Sequence, residues 1–197
     1  MILDISKFKN EINKMIQEKE FINIKISIGN INKNRIMNKN IYNSNFDIFE
    51  KFVEKRTKKK MKENIKEYKY KDMTCLSYDN IKKVCYRSLL TTFKDFKIRT
   101  KNRCLQNLRV EVINRRVIDP INFPALEKYD YIENYYKNSY FSKFKNSEII
   151  IEFIKTNKNL LFINFITKID EKNLDNFIDS INYYLSKLHF SKSKLIV

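Results

Sequence analysis

The chain has 197 residues, 43% of them hydrophobic and 14% aromatic, enough apolar material for a packed core and too much for a disordered polymer. Forty Lys and Arg against 23 Asp and Glu give a formal charge of +17, which favours a polyanionic partner such as nucleic acid, a nucleotide or an anionic membrane surface. Lys, Asn and Ile abound beside one Gly, two Pro and no Trp, the mark of an AT-rich genome, so part of this charge is ordinary solvated surface. A single histidine, His189, argues against histidine catalysis and multi-histidine metal sites. Cys75, Cys85 and Cys104 form no CxxC pair, which argues against a disulfide framework or zinc site and for reduced thiols. No signal peptide and no apolar run of membrane-spanning length is present, so a soluble, cytoplasmic protein without a membrane partner is expected.

In chain order, Ile5, Phe8, Ile12, Met15 and Ile16 recur at helical spacing and predict an amphipathic helix over 5–19. A strand follows from Phe21 to Ile28, with Ile22, Ile24, Ile26 and Ile28 on one face and Asn23, Lys25 and Ser27 on the other. It ends at Gly29, where a turn is expected before an Asn-rich stretch. Phe46, Phe49, Phe52 and Val53 predict a second helix, over 46–62, running into the basic KRTKKKMKEN. From Glu67 the period becomes two. Strands are expected at Glu67 to Leu76, Ile81 to Arg87, Phe93 to Lys101, Asn107 to Arg115, Tyr136 to Phe144, Glu148 to Ile154 and Leu160 to Lys168. The loop VIDPINFPALEKYDYIENYY carries both prolines between two of these strands. Leu174, Phe177, Ile178, Ile181, Leu185 and Leu188 predict a closing helix over 171–188.

This order predicts an α+β domain, 1–197, with a mostly antiparallel sheet over 21–168, one inserted helix and a closing helix. Several strands have one oily and one charged face. Lys97, Arg99 and Lys101 alternate with Phe96 and Ile98; Arg109, Glu111 and Ile113 alternate with Leu108, Val110 and Val112; Glu148 and Glu152 share a face with Ile150. In an open sheet the charged face meets solvent. In a barrel with helices outside it becomes a lumen lined by Lys, Arg and a few carboxylates.

The succession of segments resembles the tunnel-type, metal-dependent RNA 5′-triphosphatases of viral and lower eukaryotic mRNA capping, within the triphosphate tunnel superfamily. The carriers of the resemblance are NIKISIG at the family's ExExRxG strand, SYDNIKK at YDN, RTKNRCL at the Lys-rich segment and NLRVEVINR at RxSxS. They continue with YKNSYF at RxSF, IIIEFIKT at IDLT and LFINFITKID at the ExExE strand. The resemblance implies a sheet closed into a tunnel-like barrel, with Lys25, Lys101, Arg103, Arg109, Lys137 and Ser139 as phosphate-binding residues. It also implies Glu152 and Glu111 as catalytic acids, with Glu152 and Glu148 as the metal-ligand candidates. The implied cofactor is Mg²⁺ or Mn²⁺ if the protein is catalytic, and none otherwise. The implied partners are an RNA 5′ end or nucleoside triphosphate and a capping or polymerase subunit.

The departures concern the acids. The family carries acidic pairs at both ends of the domain, whereas this chain has Asn23 and Lys25 on the first strand and Phe162 and Asn164 on the last. An ammonium repels a cation and a phenyl ring donates no oxygen. The expectation is therefore a divergent triphosphatase-like protein of an mRNA capping or transcription apparatus that binds a 5′-triphosphate in a basic tunnel, either as a metal-dependent phosphatase or, as the lost acidic pairs favour, as a non-hydrolysing pseudoenzyme. Two other readings remain open. The basic run and the aromatic-rich YDYIENYYKNSYFSKFK suit single-stranded nucleic-acid binding by stacking and backbone contacts, and the closing helix stripe suits a structural subunit of a viral assembly.

Overall fold

The computed structural model describes residues 10, 13, 22–29, 39–57, 59–99, 105–122, 131–144, 147–158, 160–169 and 173–187. The expected helix over 5–19, Lys101 and Arg103 lie outside the described residues, apart from helical positions 10 and 13.

Antiparallel strands β1 (Ile22–Gly29), β2 (Lys59–Tyr70), β3 (Met73–Tyr78), β4 (Lys82–Arg99), β5 (Leu105–Ile118), β6 (Tyr131–Phe144), β7 (Ser147–Thr156) and β8 (Leu161–Ile169) close into a barrel. Their order around it is β1-β5-β4-β3-β2-β6-β7-β8, and β8 pairs with β1 to remove both edges. Helices α1 (Lys39–Glu54) and α2 (Leu174–Lys187) lie outside. Among the described residues no helix is long and apolar enough to cross a membrane.

The core sits between the helices and the outer face of the barrel, not inside it. Ile24 and Ile26 of β1, Ile149, Ile151 and Phe153 of β7 and Leu161, Ile163 and Phe165 of β8 are buried there. They meet Phe46, Phe49 and Val53 of α1 and Leu174, Phe177, Ile181 and Tyr184 of α2. Both helix stripes follow the spacing of three and four that puts side chains on one helix face. Phe153 is the centre of an aromatic group, edge-on to Phe46 and Tyr140 at centroid distances of 5.2 and 5.6 Å and tilted against Phe49 at 5.7 Å. Burying a side chain of this size stabilises the fold by about 1.5–3 kcal/mol. Polar ties fix where each helix lies on the barrel. Asn138 Nδ2 and the Tyr140 hydroxyl both donate to Glu50 Oε1 of α1, at 2.6 and 2.8 Å, and the Ser142 hydroxyl bonds that of Tyr184 of α2 at 2.5 Å.

Five features differ from the sequence expectations, the first being that the strands expected at Ile81 to Arg87 and Phe93 to Lys101 are one strand, β4, kept continuous through an irregularity between Ser88 and Leu90. The inserted helix spans 39–54, not 46–62, and the basic run is a turn leading into β2. Its strand character was hidden because Lys, Glu and Asn occupy both faces, so no apolar alternation marks it. The expected strand from Glu67 to Leu76 is a hairpin, with Lys71 at φ 51° between β2 and β3. Gly29 is not a turn residue but the last rung of β1, opposite Asn107 and Phe162. Cys75 and Cys85 are not separate thiols: they face each other across β3 and β4, their Cα atoms 4.0 Å apart, and are joined as a disulfide. A separation of ten residues spells no motif in sequence, yet a short hairpin makes those two positions directly opposite.

That hairpin turns at Asp79 and Asn80, both with positive φ, at 49° and 59°. Asp and Asn tolerate this left-handed conformation better than most residues. The turn is tied to β2 by Asp79 N donating to Asn64 O at 2.8 Å and Asn64 N donating to Asp79 Oδ1 at 3.0 Å.

Candidate functional site

Because side chains alternate along a strand, burying Ile24 and Ile26 under the helices turns Lys25 into the barrel. The ladder then carries this inward face from strand to strand. Lys25 lies opposite Glu111 on β5 and Ile166 on β8, Ser27 opposite Arg109 and Asn164, Asn164 opposite Glu152, Glu152 opposite Ser139, and Lys137 opposite Glu63. Residues far apart in sequence thus line one lumen.

Its charges come in pairs. Lys25 Nζ meets Glu111 Oε2 at 2.5 Å. Lys137 Nζ lies between two carboxylates, 3.0 Å from Glu63 Oε2 and 3.3 Å from Glu152 Oε1, and all three side chains are largely buried, at 14–17% exposure. The second oxygen of Glu152 accepts from Asn164 Nδ2 at 3.1 Å. Farther along, Lys69 Nζ pairs with Glu67 Oε1 at 3.0 Å, and the Tyr135 hydroxyl donates to the other oxygen of Glu67 at 3.2 Å. The Lys137 ammonium lies 5.6 Å from the Tyr78 ring centroid and the exposed Arg115 guanidinium 4.2 Å from that of Tyr86, both cation–π contacts.

Burial works against the charge on Lys137, but Glu152 and Glu63 outweigh it and hold the ammonium above the ordinary lysine value. The same surroundings keep the phenols neutral. Burial pushes up Tyr78, Tyr86 and Tyr135, with Glu63 and Glu152 adding to the rise at Tyr78 and Glu67 at Tyr86 and Tyr135.

At one end, beside Lys25, lies a cavity of 640 Å³ whose lining includes Phe141, Ile150 and Ile166, with Asn23, Lys143, Glu148 and Lys168 around it. Lys59 Nζ sits 5.0 Å from the Phe141 ring centroid.

Of the residues singled out in sequence, Lys25, Glu111, Lys137, Ser139 and Glu152 converge on the lumen, and Arg109 shares their face of the sheet. Glu148 is exposed at the cavity, away from Glu152. Glu63, Glu67, Arg115 and Tyr78 escaped the sequence reading. The Glu63-x-Ile65-x-Glu67 alternation in KENIKEY was the available signal, masked by the lysines on the opposite face.

The donor set does not suit a divalent cation. Such an ion takes six or more oxygen ligands, and among the described residues no three His, Cys, Asp or Glu groups are grouped to hold one. The carboxylates that do meet, Glu63 and Glu152, have an ammonium between them.

No protein-family model and no curated protein matches the chain. Solved structures do. The S. pombe Pct1 RNA triphosphatase in complex with the Spt5 CTD superimposes with a TM-score of 0.57 at 10% identity, over 95% of this chain and 93% of that one. The Mimivirus capping enzyme triphosphatase does so with a TM-score of 0.53 at 14% identity, over 95% of this chain and 97% of that one. With the closed eight-strand barrel, its outer helices and its charged lumen, these superpositions show that the chain has the tunnel-type RNA triphosphatase fold.

Proposed function

We propose that the lumen grips the 5′-triphosphate of RNA and holds it without hydrolysis, as a binding component of an mRNA capping or transcription apparatus. The observation that carries this reading is the set of cations built into a closed barrel of that fold: Lys25 and Lys137 inside it, with the exposed Arg109 and Arg115 at alternate positions of β5 in step with Glu111. Charge-assisted hydrogen bonds to phosphate oxygens are the strong ones, and Arg forms them bidentately. Lysines already held in ion pairs lose little freedom on meeting a phosphate. Ser139 adds a hydroxyl at the inward position opposite Glu152. Glu111 and Glu152, the catalytic candidates, are engaged with lysines, which leaves neither positioned to collect a metal and activate a water.

The test compares RNA carrying a 5′-triphosphate with the same RNA carrying a monophosphate, in chelator, and follows γ-phosphate release with Mn²⁺ in parallel. The triphosphate should bind in preference, Arg109→Ala should weaken it about tenfold, and no phosphate should be released. Equal binding of both RNAs with a steep salt dependence would replace this reading with a backbone binder. Metal-dependent release abolished by Glu152→Ala would make the tunnel a working enzyme.

The single-strand-binding reading has less support. In YDYIENYYKNSYFSKFK, Tyr140 is in the core, Tyr135 is bonded to Glu67 and Phe141 lines the cavity, while Tyr136 is exposed.

A further inference from the structure

We infer that Lys137 is the tunnel's own resident cation: its ammonium fills the space between Glu63, Glu152 and Asn164 that a divalent ion would otherwise take, so that anion binding in the lumen needs no metal. This rests on the phosphate-binding reading and specifies its chemistry.

Three observations converge on it. First, the geometry is that of a shared cation. Glu63 comes from β2, Lys137 from β6 and Glu152 from β7, and the single ammonium is within 3.3 Å of both carboxylates. A lysine ammonium has three donors. Two are taken by Glu63 and Glu152, and the third is the one a phosphate oxygen accepts from. Second, the device is repeated. Glu111 is neutralised by Lys25 and Glu67 by Lys69, so Glu63, Glu67, Glu111 and Glu152 each have a lysine of the same chain as counterion. Third, the replacement is built into the ladder. Glu63 and Lys137 are directly opposite, and Glu152 faces Ser139, the next inward position of the same strand, so the closeness of the three groups follows from register and not from a chance rotamer.

A divalent ion cannot share this space. At 3 Å from two carboxylates the ammonium would lie within a few ångströms of any metal they bound, and like charges at that separation repel strongly in a partly buried site. Without the ammonium, the Glu63 and Glu152 carboxylates, together with the Asn164 amide turned to present its oxygen, make the beginning of a hard oxygen site.

Mn²⁺ titration followed by electron paramagnetic resonance tests this with no phosphate ligand present, so its outcome is separate from that of the RNA-binding experiment. The unaltered protein and Lys137→Arg should take up no Mn²⁺ in the lumen up to about 1 mM. Lys137→Ala should gain a site roughly tenfold or more tighter, lost again in Lys137→Ala combined with Glu152→Gln. Circular dichroism establishes that each variant is folded. Mn²⁺ binding by the unaltered protein that disappears in Glu152→Gln would overturn the inference, and so would a folded Lys137→Ala that gains no site. Should Lys137→Ala not fold, the unaltered protein and Glu152→Gln decide the matter: uptake lost in Glu152→Gln overturns the inference, and no uptake supports it.

Discussion

Along β6, neighbouring residues occupy two different solvents. Asn138, Tyr140 and Ser142 point outward and are absorbed into the helix-covered core, where each is tied by a hydrogen bond to α1 or α2. Tyr135, Lys137, Ser139 and Phe141 point into the lumen, where charge is balanced by opposite charge. The outer face is held by burial of apolar surface, which is large and non-directional. The inner face is held by ion pairs, whose attraction is offset by the cost of desolvating both partners. The stability of this barrel should therefore reside outside it and its specificity inside it, the reverse of a barrel whose interior is the core.

The largest effect should come from the outer face. Phe153→Ala removes the ring at the centre of the aromatic group and should cost about 3–5 kcal/mol in urea unfolding. A loss under about 1 kcal/mol would mean the helices do not rest on this face as described. On the inner face, Lys137→Ala strands Glu63 and Glu152 and should cost about 2 kcal/mol at neutral pH, less than a fully buried pair because the side chains retain 14–17% exposure. This contribution has a sign in pH. The folded state holds the Lys137 proton more tightly than the unfolded chain, whose value is near 10.5, so the stabilisation is complete below that pH and fades as pH rises through the higher folded value. An alkaline unfolding series that shows the same slope with and without Lys137 would count against the pairing.

A smaller effect is expected from a polar tie within the outer face. The Tyr140 hydroxyl is pushed up to about 12 by burial and by Glu50, partly offset by Lys60. Between about pH 10, where the unfolded phenol ionises, and 12 the folded protein retains a proton that the unfolded chain sheds, so stability falls as pH rises across that window. Tyr140→Phe should cost about 1 kcal/mol near neutrality through the lost bond to Glu50 and should flatten the alkaline decline. An unchanged alkaline slope would place the hydroxyl in water. The smallest effect belongs to the outer surface: Lys155→Ala breaks the half-exposed pair with Asp47 and should change stability by no more than about 0.5 kcal/mol. A larger loss would show that this pair helps anchor α1.

The same contrast explains which parts could be read from the sequence. Strands with an oily outer face announced themselves. INIKISIG, SEIIIEFIKT and LFINFITKI each carry an apolar residue at nearly every outer position, and each lies where a strand was expected, as does the closing helix. The strand KKMKENIKEYKY did not, because its outer positions carry Lys, Asn and Tyr and its inner ones Met, Glu and Ile, so that neither face is oily throughout. With it, Glu63 and Glu67 were lost from the candidate site. Lys25, Glu111, Lys137 and Glu152, singled out through the family resemblance, lie on strands that the sequence did mark, and they face one lumen. Their pairing was not marked, because an ion pair depends on register and shear, which a one-residue shift would reverse.

By itself the sequence determined that this chain folds with helices against an antiparallel sheet and that its sheet has one greasy and one charged face, because alternation and helical spacing are local and each residue carries its own hydrophobicity. Only the tertiary structure decided that the sheet closes, that Lys137 lies between Glu63 and Glu152, and that Cys75 meets Cys85. Those facts join residues as far apart in sequence as Ile22 and Ile169, or as near as the two arms of a hairpin, and they are fixed by the pairing of strands around a ring, where the loss of two edges and the packing of helices on the outer face select one register for every charge inside.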